Sequence, residues 1–245
     1  MRRVSFTVSA MLRDSAIAVL NEAHTALADT IRVGVLLPWA NAIVEAELPR
    51  LDLDRVIFHY ARLVPVSRTT GLDHRFLQEL VSAIPASLEE LSRLPLATTM
   101  LACTSAGFIK DEEVSLPVAS AFDALVTTLN RMSINRIALV TPYPCWLTAI
   151  EVRAFMERGI TVVAQSSSGR DDGYSWIGPP EIRSLIAQIG RAELARAQAI
   201  VLSCTGWPTL DLLTELEDTF GMAALSSNLA MAIYAMTSNE IGTVT

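Results

Sequence analysis

Two dipeptides carry the chemistry in this chain: Cys103-Thr104 and Cys204-Thr205. Each closes a short apolar run, Leu101-Ala102 in one case and Leu202-Ser203 in the other. A thiolate is a nucleophile, and a thiol that titrates near ~8.5 can also give or take a proton. Two thiols on opposite sides of one carbon could remove a proton from one face and deliver one to the other. Equally, one could add to a double bond while the other protonates it. A lone free cysteine is ordinarily a packed apolar residue. The matched positions of these two argue for function instead. Cys145 has no such partner, its matching position lying near Asn41, and is read as packing.

The matching extends beyond the cysteines. Arg32 to Pro38 (RVGVLLP) corresponds to Arg136 to Pro142 (RIALVTP), Leu101 to Thr104 to Leu202 to Thr205, and Pro117 to Ser120 to Ala223 to Ser226. Three anchors in the same order at nearly constant spacing indicate an internal duplication. Strands are predicted at 31–37, 55–63, 97–103, 117–120, 136–140, 160–165, 199–204 and 222–225. Helices are predicted at 41–51, 74–94 with a break near Pro85, 122–132, 146–158, 180–198, 209–220 and 229–236. Alternating strands and helices imply parallel sheets covered on both faces. The expected architecture is therefore α/β: two similar doubly wound parallel-sheet domains related by a pseudo-two-fold, with the active site between them. The expected division is residues 31–118 plus 227–245 for the first domain and 119–226 for the second. Residues 1–30 form a separate arm, with helical spacing from Asp14 to Leu27. Its apolar face allows a homo-oligomer.

Composition narrows the function. The chain has 245 residues, of which 51% are hydrophobic and 18% charged, enough apolar content to exclude global disorder. A net charge of −7 argues against nucleic acid, which needs a basic face to displace counterions. No apolar run approaches the ~20 residues of a membrane span. Arg13 and Asp14 interrupt the stretch behind Met1-Arg2-Arg3, which speaks against a signal peptide. Three cysteines make no disulfide framework, and with only three histidines there is no zinc spacing. A cytoplasmic protein with free thiols, no metal and no cofactor is expected; neither a dinucleotide fingerprint nor a P-loop lysine occurs.

In open parallel sheets, ligands bind beyond the carboxyl ends of the strands. Donors at those ends are Thr104, Ser105, Thr205, Gly206, Ser226, Ser227 and Asn228. Helix N-termini there would lower the thiol titration and suit a carboxylate. Asn41 is a helix cap or a ligand contact. Tyr143, after Pro142, offers a hydroxyl at a strand end. His59 reads as a packed strand residue, and Asp171-Asp172-Gly173 as a turn.

Pro38-Trp39-Ala40-Asn41 with Glu45, Ala102-Cys103-Thr104-Ser105, Thr141-Pro142-Tyr143, Ser203-Cys204-Thr205 and Ser226-Ser227-Asn228 together resemble the maleate cis-trans isomerases. These belong, with the arylmalonate decarboxylases, to the aspartate/glutamate racemase superfamily. The resemblance covers about residues 31 to 240 and implies two Rossmann-like domains, a cofactor-independent enzyme and a small carboxylic-acid substrate. By motif, Cys103 would be the nucleophile and Cys204 the general acid/base. Pro38, Asn41, Thr104, Ser105, Tyr143, Thr205, Gly206, Ser227 and Asn228 would contact substrate. The decarboxylases lack the first cysteine, so Cys103 favours isomerase or racemase chemistry. The amino-acid racemases usually carry Asn where Thr104 stands and His or Glu where Gly206 stands. Trp39 and Trp207 are bulky for an isomerase and imply a pocket of different size. The isomerases carry an Asn in the loop matching Ser168 to Gly173; the aspartates here would repel a second carboxylate. The leading expectation is a maleate-isomerase-like enzyme. The alternatives are a racemase or decarboxylase of a 2-substituted malonate or amino acid, and a non-catalytic carboxylate-binding protein.

Overall fold

The computed structural model describes residues 30–53, 56–66, 73–109 and 115–237. The expected arm helix from Asp14 to Leu27 lies outside them. The first half runs β1 (Ile31–Pro38), α1 (Val44–Glu47), β2 (Val56–Leu63), α2 (His74–Ser82), α3 (Ile84–Leu91), β3 (Thr98–Leu101) and β4 (Ala119–Ser120). The second half runs α4 (Ala121–Arg131), β5 (Arg136–Thr141), α5 (Cys145–Glu157), β6 (Thr161–Ser167), α6 (Pro179–Ile189), α7 (Arg191–Leu194), β7 (Ala199–Leu202), α8 (Leu213–Phe220), β8 (Ala223–Ser226) and α9 (Ser227–Thr237).

The strands make two parallel four-stranded sheets of identical order, β2-β1-β3-β4 and β6-β5-β7-β8. The duplication read from the sequence is therefore a duplication of topology. In the first sheet Leu101 pairs with Ser120, and in the second Leu202 pairs with Ser226. Central β1 and β5 are apolar along almost their whole length because helices cover both sheet faces.

Local chemistry sets the breaks. The first helix is shorter than expected: α1 gives way to a 3-10 turn at Leu48–Leu51, where Pro49 has no N–H to continue the ladder. Asp73 caps α2 by accepting from Phe76 N, and α3 starts anew beyond Ala83 with Pro85 in its first turn. The single helix expected over 180–198 is two, because Gly190 at φ 79° interrupts it. Ser120 and Asp123 form a capping box at the start of α4.

β4 hydrogen-bonds to β3, so Ala119 and Ser120 belong to the first sheet and the chain crosses to the second sheet after them. α4 and α9, the helices that follow the two last strands, pack against each other more than any other helix pair. Arg131 on α4 also donates to Thr237 O at the end of α9. Among the described residues no helix is long and apolar enough to cross a membrane.

Gly107 ends the 3-10 turn Ser105–Gly107 that follows Cys103. A Cβ there would lie 2.0 Å from Ser120 Oγ and 2.7 Å from Phe122 Cβ. The Cys103 loop therefore rests directly on the capping box of α4. Gly107→Ala is expected to destabilise by about 1–3 kcal/mol, the cost of overpacking a filled site. Urea unfolding should show a lower midpoint with an unchanged slope.

Candidate active site

Each cysteine is the second residue past its strand. Ala102 N donates to Leu36 O at 2.8 Å, and the equivalent Ser203 N donates to Val140 O at 2.9 Å. These are the last ladder bonds, and the chain turns immediately afterwards. Cys103 and Cys204 are both 6% exposed and both line one cavity of about 370 Å³. Its wall also includes Pro38, Asn41, Thr104, Ser105, Tyr143, Thr205 and Gly206. The two sulfurs, distant in sequence, thus face a common space between the halves.

The residues after the cysteines tie the halves together. Thr205 Oγ1 donates to Ala102 O at 2.8 Å and accepts from Asn41 Nδ2 at 3.0 Å. Thr104 Oγ1 donates to Ser227 Oγ at 3.1 Å, and the same oxygen accepts from Cys204 N at 3.0 Å. Thr205 therefore reaches the carbonyl before Cys103 directly, and Thr104 reaches the Cys204 N–H through Ser227. Asn41 Oδ1 accepts from Ile43 N and Val44 N, so it both ties down the chain entering α1 and forms a wall of the cavity. One N–H of its amide is used on Thr205; the other is not among these bonds.

Ser227 and Asn228 were expected to touch substrate. They do not line the cavity; both are fully buried behind it. Ser227 is the bridge just described. Asn228 Nδ2 donates to Glu47 Oε2 at 2.7 Å and to Thr205 O at 3.3 Å. Glu47 Oε1 in turn accepts from Thr209 N and Leu210 N. The amide and hydroxyl types suited a ligand, but the helix start they occupy faces inward.

The thiols differ in their surroundings. Burial pushes both up, and donors offset this differently. Cys103 has the Ser105 hydroxyl at 3.4 Å and the backbone N–H groups of Ser105 and Ala106. Cys204 is pushed up to about 12 by burial, offset by the Tyr143 hydroxyl and the Gly206 N–H at 3.2 Å, with Cys103 and Glu151 adding repulsion. Cys103 thus has three donors to its sulfur against two for Cys204, which also carries the added repulsion. Cys204 also has φ 154°, a backbone angle L side chains rarely adopt. Strain of this kind collects at working residues. Burial likewise holds the Tyr143 phenol well above its usual titration.

Sequence reasoning missed one side of the cavity. Gly173, at φ 68°, turns the chain so that Tyr174, Ser175 and Trp176 join the lining beside Asp171 and Asp172. Tyr174 meets Tyr143 edge-on with centroids 5.6 Å apart. Phe76 contributes from α2 and packs on Trp39 at 5.4 Å. An acidic turn followed by two aromatics was the available signal. Trp39 lines the cavity as its bulk suggested, whereas Trp207 is buried in the core. Cys145 is exposed at the start of α5, 3.6 Å from Ser167 Oγ, and not packed as expected. His59 sits on β2 within 3.4 Å of Arg32 Nη1. Among the described residues no three His, Cys, Asp or Glu side chains group as metal ligands would.

A family model described as arylmalonate decarboxylase matches residues 108–243. The chain is 25% identical over 236 residues to a maleate isomerase of Alcaligenes faecalis, covering 86% of this chain and 91% of that one. Among solved structures it resembles the Nocardia farcinica maleate cis-trans isomerase, a cysteine-to-serine mutant with a covalently bound succinylcysteine intermediate. The TM-score is 0.74 at 22% identity, with 86% and 93% of the two chains covered. A glycine-to-cysteine mutant of arylmalonate decarboxylase gives a TM-score of 0.68 at 20% identity, with 87% and 95% covered. The shared fold is the α/β architecture of two parallel sheets described above.

Thr205→Val tests the bridge between the halves. It leaves Ala102 O and Asn41 Nδ2 buried without their partner, an expected loss of about 1–3 kcal/mol. Chemical denaturation should report that loss, while Ser175→Ala at the cavity edge should leave stability unchanged.

Proposed function

The chain belongs to the arylmalonate decarboxylase family of enzymes, and from that premise we propose that it is a cofactor-independent cis-trans isomerase of a small unsaturated carboxylic acid. Maleate or a substituted maleate is the first candidate. The observation that carries this reading is the pair of thiols lining one cavity with unequal donor sets.

The Cys103 thiolate adds to one alkene carbon. A C–S bond forms, and the π electrons move to the neighbouring carbon, where a carboxylate delocalises them. The Cys204 thiol gives its proton to that carbon and becomes a thiolate. The former double bond is now single and rotates. Cys204 then takes the proton back, the electron pair reforms the alkene, and the C–S bond breaks to return the Cys103 thiolate. Electrons and protons balance over the cycle, so no redox partner is required.

Carboxylate binding falls to neutral donors: the second N–H of the Asn41 amide, and the turn N–H groups, Ser105 hydroxyl and Tyr143 phenol, which turn from the sulfurs to the substrate. Hydroxyls of Thr104 and Thr205 are committed to the bridges. Neutral donors fixed in a largely buried site stabilise developing negative charge without reorganisation. Membership in an enzyme family sets aside the non-catalytic binding reading. A racemase or decarboxylase reading keeps one supporting observation, the aromatic lining of Trp39, Phe76, Tyr174 and Trp176, which suits a bulkier substituent.

Proton NMR in deuterated water separates these. Maleate should convert to its trans isomer, and aspartate, glutamate and aryl malonates should remain unchanged. Cys103→Ala and Cys204→Ala, each folded, should lose about 10²–10⁴-fold in turnover, the scale of a lost nucleophile or proton donor. Full activity in either variant would reject the mechanism.

A further inference from the structure

Glu151 is a buried carboxyl that the mechanism above leaves unused. It lies on the inner side of α5, shielded completely from solvent. Ser203 Oγ donates to its Oε1, while Oε2 has no hydrogen-bond partner. Neighbouring hydroxyls are engaged elsewhere: Thr148 Oγ1 lies 2.7 Å from Thr141 Oγ1 and donates to Pro144 O. Burying an acid with one donor costs more than burying an apolar side chain of the same size. A native unpartnered polar atom therefore calls for an explanation.

Ser203, the residue that holds Glu151, directly precedes Cys204 and its unusual backbone angle. The groups that feel the charge of Glu151 are Tyr143, from the loop after β5, and Cys204, from the loop after β7. β6, against which α5 packs, carries no titratable side chain. Arg153 and Glu157 of the same helix are exposed. Burial pushes the Glu151 carboxyl up to about 8. It is a neutral acid below that point and a carboxylate above it.

We propose that Glu151 is a positioning residue for Cys204: as a neutral acid it anchors the Ser203–Cys204 turn, and as a carboxylate in alkaline solution it opposes formation of the Cys204 thiolate. The catalytic consequence rests on the reading of Cys204 as acid/base. The Cys204 thiolate forms when the substrate carbon is protonated. A second buried negative charge beside it raises the energy of that intermediate, so turnover falls as pH rises through the titration of Glu151. Glutamine has the same shape and no titration, and it lacks this alkaline fall.

The experiment reads Cys204 without relying on turnover. Iodoacetamide alkylation of Cys204 is followed by peptide mass between ~pH 6 and ~pH 10 in Cys103→Ala protein, with Glu or Gln at position 151. Below the Glu151 titration the two rates should coincide, because both side chains are neutral. Above it the glutamate protein should fall behind, by about tenfold for each unit of displaced thiol titration. Rates that stay equal across the range overturn the proposal, as does a constant ratio at every pH, which would mark a purely structural effect. If Glu151→Gln fails to fold, Ser203→Ala keeps the carboxyl and removes its donor. The pH at which Cys204 alkylation breaks from its low-pH course should then be higher in Cys103→Ala/Ser203→Ala than in Cys103→Ala protein, and an unmoved break overturns the proposal. If the isomerase reading alone fails, no variant turns over an unsaturated acid while the alkylation difference persists.

Discussion

The separation of two sulfur atoms across one cavity is set by two threonine hydroxyls, each reaching out of its own half into the other. Thr205 holds the carbonyl that precedes Cys103, and Thr104 holds the serine that receives the Cys204 N–H. A parallel sheet ends in unpaired backbone groups, and a duplicated sheet ends in two sets of them. Facing the ends toward each other lets side-chain hydroxyls satisfy them, Thr205 the Ala102 carbonyl and Ser227 the Cys204 N–H. The same arrangement leaves between them the cavity that both cysteines line. Glu47 extends the scheme deeper, with its buried carboxylate group receiving two backbone N–H groups and Asn228 from the second half.

Duplication does not make the two sites equal. The Cys103 turn enters a 3-10 turn and presents a hydroxyl and two amides to its sulfur. The Cys204 turn continues through Gly206 with one amide, and its second donor is a phenol from another loop. A symmetric scaffold thus carries a pair of thiols with unequal donors. The aspartates at the cavity edge are exposed, and the polar groups nearest the two sulfurs are neutral donors of the turns.

Much of this was legible in the chain itself, for physical reasons that also explain the gaps. Central strands buried on both faces read as continuous apolar runs, which is why Arg32 to Pro38 and Arg136 to Pro142 could be matched. The cysteines followed from that match. Helix ends were legible where a breaker had no competitor, as at Pro85, and illegible at Gly190, whose role depends on a positive φ that the neighbouring residues do not announce. Ser227 and Asn228 have the right side chains for ligand binding, but only the packing of α9 shows that they face inward. The aromatic side of the cavity was missed because Asp171-Asp172-Gly173 reads as an ordinary turn. Its consequence, the aim of Tyr174 and Trp176, is tertiary. Glu151 was invisible for the same reason: one acid among polar and apolar helix residues gives no sign of which side it will take.

The central claim is that Cys103 forms the bond to carbon and Cys204 supplies the proton. Peptide mass analysis of Cys204→Ser protein, in which solvent protonates the adduct and no thiolate takes the proton back, quenched during exposure to the proposed cis-acid substrate, tests this most directly. The account predicts that the peptide bearing Cys103 gains the mass of one substrate molecule while the Cys145 peptide does not. An unmodified Cys103, or an adduct confined to Cys145, would contradict it.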